Sequence, residues 1–253
     1  MTRRPAALLW DVDGTLAETE LDGHRLAFNR ALAEAFLPWQ WDEPLYLELL
    51  RISGGRERIR HFLTGVEQAP PSPDRVEQLQ AAKQRHYTAL MEAGAVGLRP
   101  GVERLMRAAA AQGVRQAIVT TSGRSAVAAL LDRALPDHGQ LLEFWVCGED
   151  VSRKKPDPAA YRQALERLAL PASAVLALED SGNGLAAAVA AGLRVLVTRS
   201  RSSAIEPDSC FTAAAAELDQ LGEPDAPCLV RRGPACLQGC VTLSYLQQLL
   251  PAA

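Results

Sequence analysis

The chain has 253 residues, 48% of them hydrophobic and 23% charged, with a formal net charge of −3 at pH 7. That length supports one large domain or two modest ones with an ample core, and the acidic balance argues against nucleic acid or an anionic membrane as the main partner. No apolar run is long enough to span a bilayer, so a cytoplasmic protein is expected, and it is taken as a monomer.

The start, Met1-Thr2-Arg3-Arg4, is basic and precedes an apolar stretch, but Asp11 interrupts that stretch too early for a signal peptide. Ala6 to Trp10 reads as a short buried strand. It stops at Asp11, a second carboxylate follows at Asp13, and Gly14 and Thr15 turn the chain. Two carboxylates at the end of a buried strand are costly without compensation, and a divalent cation supplies it. Taken alone, Asp-x-Asp-Gly is equally a solvated turn. A calcium loop is disfavoured, because Leu16 and Ala17 are apolar where oxygen ligands are needed.

From Gly23 to Leu37 apolar residues recur at helical spacing, and Pro38 ends the run. Leu45 to Ile52 and Glu57 to Leu63 read as two further helices, separated by Ser53-Gly54-Gly55-Arg56. Pro70-Pro71-Ser72-Pro73 is a break, with Ser72 or Asp74 capping a long helix to Glu92. No strand pattern occurs between residues 18 and 94. Strands and helices then alternate. The strands are expected at Ala117–Thr120, Phe144–Cys147, Val175–Leu178 and Arg194–Thr198, with an edge strand near Leu229-Val230. The helices are expected from Pro100 to Gly113, Ser125 to Leu135, Pro158 to Leu170, Gly184 to Ala191 and Leu243 to Leu250. Such alternation implies parallel βαβ units. The fold class is therefore α/β: a doubly wound parallel-sheet core over residues 1–17 and 95–253, with an all-helical insert over 18–94.

Five cysteines occur, at 147, 210, 228, 236 and 240, without Cys-x-x-Cys, so no disulfide framework is expected. Zinc at Cys228, Cys236 and Cys240 lacks a fourth ligand nearby, since no histidine follows His138. Reduced thiols are the expectation.

Three later stretches bear on the first. Ala117 to Ser122 is a strand ending in hydroxyls, which could equally be a helix cap. Arg153-Lys154-Lys155-Pro156-Asp157-Pro158 is a basic run before a helix, and such runs are often only solvated. Leu178-Glu179-Asp180-Ser181-Gly182-Asn183-Gly184 repeats the opening pattern of an apolar strand ending in paired acids. Gly182 to Ala187 also fits a loose dinucleotide fingerprint, but the acids just ahead of the glycines would repel a pyrophosphate. Four carboxylates in one small site need a cation, because like charges at close range raise one another's pKa. Magnesium suits an all-oxygen shell.

In this order, Asp11-Val12-Asp13-Gly14-Thr15, Thr120, Lys155 and Glu179-Asp180 resemble the motifs of the haloacid dehalogenase superfamily, in its branch with a four-helix cap. The resemblance implies that Asp11 is a nucleophile for phosphoryl groups and Asp13 the general acid and base. Thr120, with backbone N–H groups such as that of Thr121, would hold the phosphoryl oxygens, and Lys155 would offset charge. Mg2+ would sit on Asp11, Asp180 and the Asp13 carbonyl, with Glu179 direct or through water.

The stretch from Leu16 to Asn29, Trp39-x-Trp41, Tyr46 to Leu50 and Gly54-Gly55-Arg56-Glu57-Arg58-Ile59 look like the CbbY group of that superfamily, whose substrate is xylulose-1,5-bisphosphate. Carried over as substrate contacts are Glu18, His24, Tyr46, Gly54, Gly55, Arg56 and Arg58. Two arginines at a glycine-led helix start are a ready anion site. The ordinary readings are a polar helix start for His24, cap packing for Tyr46 and the tryptophans, and a solvated helix face for the arginines. β-Phosphoglucomutase-like mutases, phosphatases of phosphoglycolate or other sugar phosphates, and a non-catalytic binding role share the scaffold and stay open.

Overall fold

A computed structural model describes residues 4–251; Met1, Thr2 and Arg3 of the basic start, and the last two residues, lie outside it. Seven strands form one sheet: β1 Ala7–Trp10, β2 Arg115–Val119, β3 Phe144–Val146, β4 Val175–Glu179, β5 Arg194–Thr198, β6 Ala216–Leu218 and β7 Val230–Arg232. The spatial order is β3-β2-β1-β4-β5-β6-β7. β1 to β6 pair in parallel, and β7 closes the edge antiparallel to β6. β1 therefore lies between β2 and β4, with Trp10 in register with Ile118 on one side and Leu178 on the other.

Because successive side chains leave a strand on opposite faces, β1 feeds two cores. Leu8 and Trp10 enter one, with Leu105 of α5 (Val102–Ala111), Leu130 of α6 (Arg124–Ala134) and Leu246 near the chain end; Ala7 and Leu9 enter the other, with Tyr161 and Leu185 from the opposite face. All four β1 side chains are fully buried. That explains the unbroken apolar run: a strand covered on both faces has no polar side to show. Chain continuing from β1 leads to β2 and β3 on one side, whereas β4, β5 and β6 lie on the other. The crevice between the carboxyl ends of β1 and β4 is thus a topological switch point, where ligands bind in open α/β sheets.

The connection from β1 to β2 is helical: a π turn Glu20–His24, then α1 Arg25–Glu34, α2 Glu43–Leu49, α3 Gly55–Glu67 and α4 Pro73–Glu92. Among the described residues no strand falls between 18 and 94, as the sequence implies. The boundaries shift for local reasons. α1 stops at Glu34, not at Leu37, because Phe36 turns left-handed (φ 54°) and the N–H groups of Phe36 and Leu37 donate to the Ala33 and Leu32 carbonyls, the closure that satisfies a helix end. α2 starts two residues early because the Asp42 carboxylate accepts from the Leu45 N–H, with Pro44 in the first turn. Ser72 is the cap of α4, accepting from the Arg75 N–H. Phe28, Trp41, Tyr46, Phe62 and Leu63 form a separate apolar cluster inside this region, while Tyr87, Leu90 and Met91 at the end of α4 join the core under the sheet.

The remaining helices are α7 His138–Leu141, α8 Ala159–Leu168, α9 Gly182–Ala190 and α10 Leu243–Leu249. Besides three short 3-10 turns, Ala172–Ala174, Ser203–Ile205 and Asp208–Phe211, two elements have no sequence counterpart: α7, a single turn, and β6, whose Ala-Glu-Leu carries no strand signal and is held by pairing with β5 and β7. The edge strand lies at Val230–Arg232, one residue later than Leu229-Val230. The five cysteines are free thiols. No helix among the described residues is long and apolar enough to cross a membrane.

Candidate active site

Four loops bring the chemistry together, each at the carboxyl end of a parallel strand. Asp11 leaves β1 with its N–H still donating to the Leu178 carbonyl, 3.0 Å, so the sheet ladder fixes its backbone. Glu179 ends β4 and Asp180 follows it. Thr120 follows β2, its N–H donating to the Val146 carbonyl, and its Oγ1 accepts from the Ser122 N–H at 3.1 Å. Lys155 arrives on the loop after β3.

Lys155 is the hub. Its ammonium donates to Asp11 Oδ1 at 2.7 Å, to Glu179 Oε1 at 2.6 Å and to the Val119 carbonyl at 2.8 Å, which uses all three of its N–H bonds. Burial works against its charge, but Asp11 and Glu179 outweigh that and push its pKa above the ordinary lysine value. The Tyr161 hydroxyl also donates to Glu179, and Ser200 donates to Asp180 Oδ2 at 2.5 Å.

The acids outnumber the cations. Burial, with Glu179 and Asp13 as like charges and only Lys155 opposing, raises Asp11 to about 7. Burial, then Asp11, pushes Asp180 well above the carboxylate range. Glu179 Oε2 is buried with no hydrogen-bond partner among the described residues. Carboxylate oxygens of Asp11, Glu179 and Asp180 lie within 4.8 Å of one another. An orphaned carboxylate oxygen in a cluster of three buried acids, served by one lysine, is a donor set that fits a hard divalent cation.

Asp13 is held differently. Thr19 donates to its Oδ1 at 2.5 Å, His24 Nε2 lies 2.9 Å from the same oxygen, and Ser122 donates to Oδ2. Burial alone would raise this carboxyl; the His24 ring and the bonds from His24, Ser122 and Thr19 outweigh it and keep Asp13 well below the usual range. On the far side of the ring, Lys83 Nζ lies 2.8 Å from His24 Nδ1, and the ring stacks on Tyr87 at 4.2 Å. Burial lowers Lys83 to about 8. A lysine donating to Nδ1 leaves Nε2 as the nitrogen that donates to Asp13.

The residues expected as substrate contacts divide. Arg56, Arg58, Gly54, Gly55, His24 and Thr121 line a cavity of roughly 400 Å³ over Asp13. A second cavity, roughly 430 Å³, adjoins it over Asp11, Lys155 and Asp180 and is shared by Gly54, Arg58 and Thr121. Arg58 itself is buried: it donates to the Leu49 and Ile52 carbonyls and to the Tyr46 hydroxyl, which in turn donates to Glu20. Arg56 is half exposed and pairs with Glu77 at 2.5 Å. Glu18 lies outside both cavities, its carboxylate 3.2 Å from Arg99 Nε and accepting from the Arg201 N–H. Gly54 has φ +99°, and a Cβ there would lie 2.5 Å from Lys154 Nζ; the glycine makes room for Lys154, which bridges to Glu57 at 3.1 Å.

Sequence reading missed Ser122, Thr19, Lys83, Tyr161 and Ser200. Ser122 sits in a stretch already singled out and could have been found there. Lys83 and Ser200 carry no local signal, because their partners lie 59 and 20 residues away.

A family model described as haloacid dehalogenase-like hydrolase matches residues 5–192. The plasmid-encoded protein CbbY of Cupriavidus necator is 42% identical over 226 residues, covering 87% of each chain. The protein CbbY of Rhodobacter capsulatus is 45% identical over 195 residues, covering 77% of this chain and 85% of that one. The crystal structure of CbbY from Rhodobacter sphaeroides, as an aspartate-to-asparagine mutant in complex with xylulose-1,5-bisphosphate, superposes with a TM-score of 0.80 at 39% identity, covering 85% of this chain and 94% of that one.

Proposed function

The chain belongs to the haloacid dehalogenase-like hydrolases and is a CbbY-like phosphatase, and from that premise we propose that it hydrolyses xylulose-1,5-bisphosphate with Mg2+, as a cytoplasmic monomer. What carries the reaction is the position of Asp11: its Oδ1 is held by Lys155 while Asp180 and Glu179 crowd it from the next strand. A carboxylate so placed is a nucleophile aimed at a bound phosphoryl group. What supports the substrate is the kinship with a protein whose structure holds that bisphosphate, together with two adjoining cavities that share Asp13, one of them over Asp11.

In this reading Asp11, Asp180 and the Asp13 carbonyl would hold Mg2+, with Glu179 beside them, and the ion would neutralise phosphate charge. Lys155 fixes the Asp11 carboxylate and adds a positive charge against the substrate. Thr120 and the Thr121 N–H hold phosphoryl oxygens. Asp11 forms a bond to phosphorus as the sugar oxygen departs, and Asp13 gives that oxygen a proton. Asp13 then takes a proton from water, whose oxygen attacks phosphorus and frees Asp11 and phosphate. The three donors around Asp13 favour its carboxylate form, which suits the water step; the first step needs the carboxyl form, so substrate binding must displace a donor and let Asp13 take up a proton from solvent before it gives one to the leaving oxygen. Residues 18–94 act as a cap that covers the cleft and excludes water.

Phosphate release should be measured over sugar mono- and bisphosphates, with Mg2+ and with excess chelator. Xylulose-1,5-bisphosphate is expected to give the highest kcat/KM, and chelator to abolish it. β-Glucose 1-phosphate with a bisphosphate primer should give little glucose 6-phosphate; efficient isomerisation there means a mutase.

The two arginines should behave differently. Arg58→Ala strands buried carbonyls and is expected to cost about 2–4 kcal/mol of stability. Arg56→Ala breaks only a half-exposed pair, about 0–1 kcal/mol. In the proposed role of meeting the second phosphate, its kcat/KM on the bisphosphate falls by about 1.5–3 kcal/mol. Thermal unfolding with kinetics on a bisphosphate and a small monophosphate separates the two; equal loss on both substrates removes Arg56 from that role.

A further inference from the structure

Two neutral polar atoms on the wall of the cavity over Asp13 are buried and have no partner among the described residues. They are Gln80 Oε1 and Gln84 Nε2. Both side chains belong to α4, one turn apart, so they lie on the same face of the helix. Both line the cavity over Asp13, and Lys83 between them reaches His24. Buried polar atoms in folded proteins are almost always hydrogen-bonded, and an exception calls for a cause. A pair of exceptions on one wall of one cavity points to a shared cause.

Gly55 gives a second observation. A Cβ built on Gly55 would lie 2.5 Å from Gln80 Oε1 and 3.2 Å from its Nε2. Any larger residue at the start of α3 would evict the Gln80 amide. The bare backbone at Gly55 therefore serves this amide and keeps its end against the cavity wall, between the anion-ready start of α3 and the Asp13 cluster.

The cations and acids of this cavity are largely committed. Arg56 pairs with Glu77, Lys154 with Glu57 and Lys83 with His24. What is unmatched is neutral: an amide oxygen that accepts and an amide nitrogen that donates. Their complement is a neutral group that both donates and accepts, which is an alcohol.

We infer that Gln80 and Gln84 are specificity-determining residues that read hydroxyl groups of the sugar, completing their hydrogen bonds when the cleft closes on a polyol phosphate. This rests on the phosphatase reading above and adds how the site tells a sugar phosphate from another phosphate ester. A site whose buried polar groups need the substrate's hydroxyls rejects an analogue lacking them, because those groups are then left unpaired.

The test compares Gln80→Leu and Gln84→Leu with wild type on two substrates: the hydroxylated sugar phosphate that wild type hydrolyses fastest, and p-nitrophenyl phosphate, which has no hydroxyl. The ratio of kcat/KM for the sugar over p-nitrophenyl phosphate is expected to fall at least about tenfold in each variant, through KM more than kcat. Thermal unfolding is expected to show no loss of stability, since an orphaned polar atom is removed. A ratio within twofold of wild type in both variants overturns the inference, and so does an equal loss on both substrates. A wild type that prefers a sugar other than xylulose-1,5-bisphosphate overturns the substrate reading and leaves the glutamine comparison intact. Gln80→Glu keeps an acceptor oxygen at the same reach; recovery of part of the ratio there supports hydroxyl recognition over packing.

Discussion

Asp11→Asn is expected to lose phosphatase activity by about 10⁴-fold or more, the scale at which removal of a covalent nucleophile is felt, while folding normally. The amide keeps the shape of the side chain but cannot form the acyl-phosphate. Its effect on stability is also specific. In metal-free protein, burial and the neighbouring acids raise Asp11 from 3.8 to about 7. Between those values the folded state binds more protons than the unfolded state, so Asp11 makes stability fall as pH rises through that window. The asparagine variant should show a shallower slope, with the part due to Asp180 remaining. Denaturant titrations at pH 5 and pH 8 would show it, and a variant with the wild-type slope, or with substantial turnover, removes Asp11 from the role assigned to it.

Lys155→Met is expected to be the most damaging single change to the metal-free fold. It leaves Asp11 and Glu179, 9% and 1% exposed, without the cation that joins them. Breaking a buried ion pair from one side typically costs about 3–5 kcal/mol. The loss should grow with pH: without Lys155, Asp11 is pushed up further, stays protonated in mildly acidic solution, and becomes an uncompensated charge only as pH rises. Added Mg2+ should stabilise this variant more than wild type, because it would then replace the ammonium that joins Asp11 and Glu179. Activity is expected to fall by at least about 10²–10³-fold. Thermal unfolding with and without Mg2+ at pH 6 and pH 8 checks this. Wild-type stability without added metal means that the Lys155 contacts contribute little.

The core of the site was legible because its signals are local. A strand buried on both faces must be apolar along its length, so the abrupt acids at Asp11 and Glu179-Asp180 stand out in the sequence and mark the strand ends. The α/β alternation was legible for the same reason, down to the glycines that close helices and a cap at Ser72 or Asp74, of which Ser72 is the one that forms. The helical region between β1 and β2 was legible as helical from its periodicity, but less so in its boundaries, which depend on the left-handed Phe36 and the Asp42 cap.

The sequence by itself determined the strand-end acids, the lysine and the order in which they occur, since each is written into a few consecutive residues. The tertiary structure alone decided what they touch. Arg56 and Arg58 are two residues apart and look alike in sequence, yet one is buried among carbonyls and the other faces Glu77, because positions two apart on a helix point in different directions. His24 reads as a polar helix residue until the fold sets Asp13 on one side of its ring and Lys83 on the other. Glu18 lies seven residues from the nucleophile, and the turn after Asp13 carries it out of the cleft to Arg99. Hydrogen bonds act over about 3 Å, and which distant side chains come that close depends on packing that no short stretch of chain contains.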